Sequence, residues 1–342
     1  RSDSAVSSTA LRSIPATKGS IGATSSMVMV AAPTVASMIA GRISCATASP
    51  AASQITTPAS VLDSAPRAAT LRAMNRLIRI LAPLLVLVAA QARAHEFWIE
   101  PLAYQIAPGE TIQGQIKIGQ SFGGSIYSYL PNSFVRFDVV TGGEAHPVTG
   151  RIGDRPALSY PDAPEGLAIV VHETVDNRLT YTERQKFVDF VNHKDAGWVL
   201  DEHARRGLPD TGFTETYRRY AKTLVAVGAG TGADAPQGLL WELVALENPY
   251  TGDLSDGLDV QLLHEGTPVP EAQIELFAKS ADDGVETTYH RTGADGVVTL
   301  PVVAGTAYLV DSVRLEPREP SEATQGAVWH SLWASLVFRT PD

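Results

Sequence analysis

Ile112-Gln113-Gly114-Gln115-Ile116-Lys117-Ile118 places apolar and polar residues in strict alternation. Successive side chains of a strand point to opposite faces, so this period of two describes a half-buried strand. The same pattern recurs on both sides of it. His95 to Tyr104 reads as a strand with Phe97 and Ile99 on one face and Trp98 and Glu100 on the other, and Pro101 marks its end or an edge position. Pro108-Gly109-Glu110 is a turn. Phe134 to Val140 is a further strand closed by Thr141-Gly142-Gly143, and Leu167 to Thr174 is another, with His172 near its end. Short alternating strands separated by Gly and Pro turns predict a β-sandwich.

The period changes at Thr182. Thr182-x-x-Gln185 has the form of a capping box, with Phe187, Phe190 and Val191 behind it at helical spacing. Trp198 to Arg206 predicts a second helix, with Gly207 as its cap and Pro209 beyond. Tyr217, Tyr220, Ala221 and Leu224 form a third apolar stripe, so 183–222 reads as a helical insertion. Strands return at Leu239 to Leu246, ending in Asn248-Pro249-Tyr250. Leu258, Val260 and Leu262 then alternate with polar neighbours, His264-Glu265-Gly266 turns the chain, and Val297–Val303, Tyr308–Leu315 and Trp329–Phe338 follow as strands. Gly266-Thr267-Pro268 through Gly305-x-x-Tyr308 resembles the small transthyretin-like or carboxypeptidase-regulatory sandwich. The expected fold is mainly β, with two β-sandwich units of Ig-like or transthyretin-like kind, 95–247 and 248–342, the first carrying the helical insertion.

The first third has another character. Residues 1–73 are rich in Ala, Ser and Thr and poor in charge and aromatics, a composition that cannot offset the entropy of ordering. They are expected to be disordered, or to be upstream sequence translated from a misplaced start. From Met74, Arg76 and Arg79 precede an apolar run from Ile80 to Ala90, and Ala92-Arg93-Ala94 closes it. This is the three-part form of a signal peptide, residues 74–94, cleaved after Ala94, and it predicts export to the periplasm. The apolar run is too short to span a bilayer comfortably.

The 342 residues carry a formal charge of −10. Of 27 Lys+Arg, 9 lie in 1–94, against 2 of 37 Asp+Glu, which leaves residues 95–342 at −17 with all eight histidines. Phosphate binding needs a basic face, so a nucleic-acid partner is not expected. The only cysteine, Cys45, precedes the signal. Any metal held by residues 95–342 must therefore use nitrogen and oxygen ligands. No Gly-rich phosphate loop or nucleophile elbow is present, and His172-Glu173 lacks the second histidine of a zinc-protease motif.

Cleavage after Ala94 would give His95 a free α-amine beside its imidazole, two nitrogens able to chelate a transition metal such as Ni(II), Co(II) or Cu(II). The candidate metal ligands are His95, His172 and His203, with His193, Asp201 and Glu202 in reserve. Taken singly, His172 and His203 also fit core or surface roles. His146, His264 and His290 read as surface residues, and His330 as structural.

Ala94-His95-Glu96-Phe97-Trp98-Ile99-Glu100-Pro101, Arg206-Gly207-Leu208-Pro209, Tyr217-x-x-Tyr220-Ala221-Lys222, Asn248-Pro249-Tyr250 and Trp333-Ala334-Ser335-Leu336 stand in an order that resembles the DUF4198 family, akin to the periplasmic component of cobalt/nickel uptake systems. The resemblance implies an exported β-rich protein with a nickel or cobalt role. It also implies a membrane metal transporter as partner, since no membrane-spanning helix is expected after the signal. The leading expectation is thus a periplasmic nickel, cobalt or copper binding protein and not an enzyme. Two others compete with it: a copper oxygenase built on a histidine brace, and a metal-free module that holds a polysaccharide or a protein.

Overall fold

A computed structural model describes residues 95–342. The expected signal segment 74–94 and the stretch 1–73 lie outside them. The described chain is mostly strand. It opens with β1 (Glu96–Pro101), β2 (Gln105–Ile106), β3 (Ile112–Gln120), β4 (Gly123–Tyr127), β5 (Phe134–Thr141), β6 (Glu144–Pro147), β7 (Leu158–Tyr160), β8 (Gly166–Thr174) and β9 (Asn177–Tyr181). Helices α1 (Arg184–His193) and α2 (Trp198–Arg205) follow. The chain then continues through β10 (Phe213–Val227), β11 (Trp241–Ala245), β12 (Leu258–His264), β13 (Thr267–Pro268), β14 (Gln273–Lys279), β15 (Val285–Arg291), β16 (Val297–Leu300), β17 (Ala307–Pro317) and β18 (Ala327–Arg339).

One ten-stranded sheet forms the middle layer. Its path is β15-β14-β17-β18-β10-β8-β5-β6, with β2 and β9 also paired to β10. On one face sits a four-stranded sheet of β11, β12, β13 and β16; Trp241, Leu243, Val260 and Leu262 pack there against Ile169, Leu224, Leu276, Val310, Leu332 and Leu336. The other face is shared by two covers. A second four-stranded sheet, β1, β3, β4 and β7, buries Ile99, Ile112, Ile116 and Leu158 against Val139, Val170, Ala221 and Val225. Helices α1 and α2 cover the remainder, with Phe187, Phe190, Val191 and Val199 against Phe213, Trp329 and Trp333. Neighbouring residues such as Tyr220 and Ala221 or Ala168 and Ile169 therefore enter different cores, as strand alternation requires.

The middle sheet crosses the boundary expected at 247/248, because β14, β17 and β18 continue the sheet begun by β5, β8 and β10. The helical insertion is also shorter than expected. Of that span only Arg184–His193 and Trp198–Arg205 are helical, and the stripe of Tyr217, Tyr220, Ala221 and Leu224 lies on β10. Phe213-Thr214-Glu215-Thr216-Tyr217 and Thr223-Leu224-Val225-Ala226-Val227 are rich in aromatic and β-branched residues, which suit a strand buried on both faces. There β10 pairs parallel with β18 and antiparallel with β8 and β9. The capping box does not form either. Glu183 is the N-cap, without a side-chain cap bond, and Gln185 instead donates to Asp189 Oδ1 at 2.7 Å. Gly207 does close α2, in the left-handed conformation at φ +63° with its amide on Ala204 O. Among the described residues no helix is long and apolar enough to cross a membrane.

Candidate metal centre

The seam between the two covers is where polar chemistry concentrates. Strand register sets a row across the middle sheet: Glu275 on β14 faces Asp311 on β17, which faces Ser335 on β18, which faces Ala221 on β10. All four side chains lie under the covers and are almost fully buried. Over this row comes Glu96, the first residue of β1 and 3% exposed. From the helical side come His193, the last residue of α1, and Lys194, its C-cap.

Glu275 is held between these arrivals. Its Oε1 accepts from Lys194 Nζ at 2.6 Å, and its Oε2 lies 3.1 Å from His193 Nε2. Lys194 Nζ also donates to Asp311 Oδ2 at 3.0 Å. Glu96 Oε2 is buried and has no hydrogen-bond partner. One ligand atom each from Glu96, His193 and Glu275 lie within 4.8 Å of one another, the single such grouping of three His, Cys, Asp or Glu among the described residues. Ser335 Oγ, in the same row, is buried and unpartnered too.

The electrostatics follow from burial. Glu96 is pushed up to about 8 by desolvation, with the charges of Asp311 and Glu275 adding to it and Lys194 opposing. Asp311 is raised by burial and by Glu275, against the pull of Lys194. For Glu275 burial is outweighed by the His193 hydrogen bond and the Lys194 charge, so it is held below its ordinary value. Lys194 is raised in spite of burial, because Asp311, Glu275 and Glu96 surround it. Three carboxylates thus share one ammonium. Lys222, buried on β10, differs in its surroundings. Lys222 meets Asp234 at 2.7 Å and Glu242 at 3.2 Å, and those carboxylates also accept from the amides of Ala245, Gln237 and Leu239. That cluster leaves no oxygen unpartnered, whereas the seam does.

The three histidines singled out by sequence are not brought together as one ligand set. His95 is exposed at the start of β1; its carbonyl accepts from Arg219 Nη2 at 3.4 Å, and partial burial and the Arg219 charge lower its pKa. His172 is fully buried among Phe97, Phe134 and Phe137, with ring centroids 4.8–5.3 Å away, and both its nitrogens lack partners. Burial lowers its pKa to about 3. His203 has both nitrogens engaged, Nδ1 accepting from Trp329 Nε1 and Nε2 donating to Pro209 O, each at 3.0 Å. It is a packing residue stacked on Trp329. Asp201 and Glu202 lie on the same helix, Glu202 paired with Arg205, and only His193 of the reserve residues reaches the seam.

Glu275 and Asp311 were not distinguished by sequence. Each looks like an ordinary polar position of an alternating strand, and in a two-layer sandwich that position faces water. Here the sheet is covered on both faces. The signal that was present is a lone carboxylate inside an apolar run, Ile274-Glu275-Leu276-Phe277 and Leu309-Val310-Asp311.

The chain belongs to the family defined by DUF4198, a domain of unknown function, whose model matches residues 92–314. Glu96, His193, Lys194, Glu275 and Asp311 all fall within that span. No curated protein matches the chain.

Proposed function

We propose that this protein binds a divalent transition-metal ion through Glu96, His193 and Glu275, and that it works in the periplasm as a carrier that passes the ion to a membrane transporter. One observation carries the reading: a buried carboxylate oxygen of Glu96 with no partner, within 4.8 Å of two further ligand atoms. Leaving such a group unsatisfied is costly, and a cation would satisfy it. The ion would take the place of the proton shared by His193 Nε2 and Glu275 Oε2. One imidazole and two carboxylates suit Ni(II), Co(II) and Cu(II). Residues 95–342 contain neither Cys nor Met, so the soft ligands preferred by Cu(I) are missing from them. The signal-like segment 74–94 and the resemblance to cobalt/nickel uptake components support a carrier role in the periplasm. No catalytic role is assigned.

Calorimetry with Ni(II) and Co(II) tests the site. Glu96→Gln, His193→Ala and Glu275→Gln should each weaken binding by ~10-fold or more, since even outer-shell changes cost that much. His203→Asn should leave affinity unchanged. Equal affinity in the wild type and all three ligand variants would sink the assignment.

A second reading has its own observation. A cavity of about 600 Å³ opens beside the seam, lined by Trp198, Trp241, Arg291, Arg314 and Glu316 among others. Trp198 is 50% exposed there. An open indole among paired charges suits a neutral polyhydroxylated ligand, in line with a saccharide-binding module. Binding of oligosaccharide to metal-stripped protein, lost in Trp198→Ala, would favour it.

A further inference from the structure

Resting on the metal reading above, we infer that Lys194 is a built-in competitor at the site, a fixed ammonium that weakens the hold on a divalent ion so that the ion can be handed on. The geometry is that of a two-cation arrangement with one place taken by an amine. Glu275 spans the two places, Oε1 towards Lys194 at 2.6 Å and Oε2 towards His193 at 3.1 Å. Asp311 completes the lysine side at 3.0 Å, and Glu96 the open side.

Lys194 cannot withdraw. It caps α1, with its amide donating to Phe190 O, and its Nζ stands 5.1 Å from the Trp333 ring centre. Phe190 stacks on the same indole, with ring centres 5.6 Å apart. The side chain is 1% exposed, so water screens it little. A divalent ion bound by Glu96, His193 and Glu275 therefore always has this positive charge as a neighbour, sharing a carboxylate with it. Two cations that share one carboxylate in a buried site repel strongly even with an effective dielectric of about 20. Asp311 has the complementary part: it neutralises the ammonium through the 3.0 Å ion pair. A site without Lys194 would bind more tightly and release more slowly, which suits a structural metal and not a carried one.

The test is a charge cycle on the full chain, read as Ni(II) affinity by calorimetry and as release rate to a chelator. Lys194→Met should tighten binding by ~10-fold or more and slow release. A merely structural lysine would do the opposite, because its loss would loosen the site. Asp311→Asn should weaken binding, and Lys194→Met/Asp311→Asn should return the affinity to near that of the wild type. If Lys194→Met fails to fold, the double variant is compared with Asp311→Asn alone, and the same tightening is expected. Binding that is unchanged or weaker when Lys194 is removed, while Glu96→Gln still weakens it, would overturn the competitor role and leave the site standing. Absence of metal binding in every variant, including the wild type, would overturn both.

Discussion

At the scale of single residues, burial decides which titrations matter. His172 has its pKa lowered to about 3 from an ordinary 6.5, and both nitrogens are unpartnered. Between those values the unfolded chain binds a proton that the folded chain refuses. The stability this group contributes is present above pH 6.5 and is lost as the pH falls through the window, at ~1.4 kcal/mol per unit. His172→Phe should remove that loss, so denaturant midpoints of variant and wild type should diverge between pH 6 and pH 4. Glu96 has the opposite sign. Its pKa is raised to about 8 from 4.5, so the folded state keeps a proton that the unfolded state loses, and stability falls as pH rises through this range. Metal-stripped Glu96→Gln should therefore be more stable than metal-stripped wild type at pH 8, by about 1–3 kcal/mol, while binding the ion less well. A wild type that is the more stable of the two would argue against a destabilised ligand. Sequence alone reached Glu96 only as the neighbour of His95, and ranked His193 below His172 and His203. Spacing marks where a histidine sits along the chain, but not whether its nitrogens are spoken for. Trp329 lies far from His203 in sequence, and nothing local announces their hydrogen bond.

Elements were legible where one period ran unopposed. The alternation of Ile112 to Ile118 and of Leu258 to Leu262 appears as β3 and β12, and the Phe187-Phe190-Val191 spacing as α1. β10 was misread because a strand covered on both faces loses its period of two, and its apolar residues can then fall by chance at helical spacing. Pairing with β18 and β8, both distant in sequence, decides the matter. The helix pair depends on the indole of Trp333, which stacks on Phe190 and roofs the Lys194 ammonium. Trp333→Ala should lower the unfolding free energy by about 3–5 kcal/mol and weaken metal binding at the same time. A loss of stability with wild-type affinity would separate α1 from the site.

On the scale of the molecule, the middle sheet is the common property of what the sequence divides into two sandwiches. β14, β17 and β18 pair with each other and, through β10, with β8 and β5. Neither part can bury its half of that sheet without the other, so residues 95–342 should unfold in one cooperative step. Circular dichroism and tryptophan fluorescence should give coincident urea transitions. Two resolved transitions would restore a boundary near 247/248. The layered β architecture was readable from turn residues and alternation, whereas the sharing of one sheet was not, because strand order is set by non-local pairing.

The three ligand residues of the seam arrive on three separate pieces of the fold. Glu275 is anchored in the middle layer, Glu96 stands where β1 begins, and His193 ends a short helix that touches the sheet mainly through aromatic rings. An ion seated among them would rivet those pieces together. The imidazole is the only one of the three donors carried on a helix, and the tip of that helix is held down by Lys194 and by Gln273 Nε2 on His193 O at 2.9 Å, so a turn of the ring about its own side-chain bonds is the smallest movement that opens the grip. The cargo could thus depart while every strand stays in register.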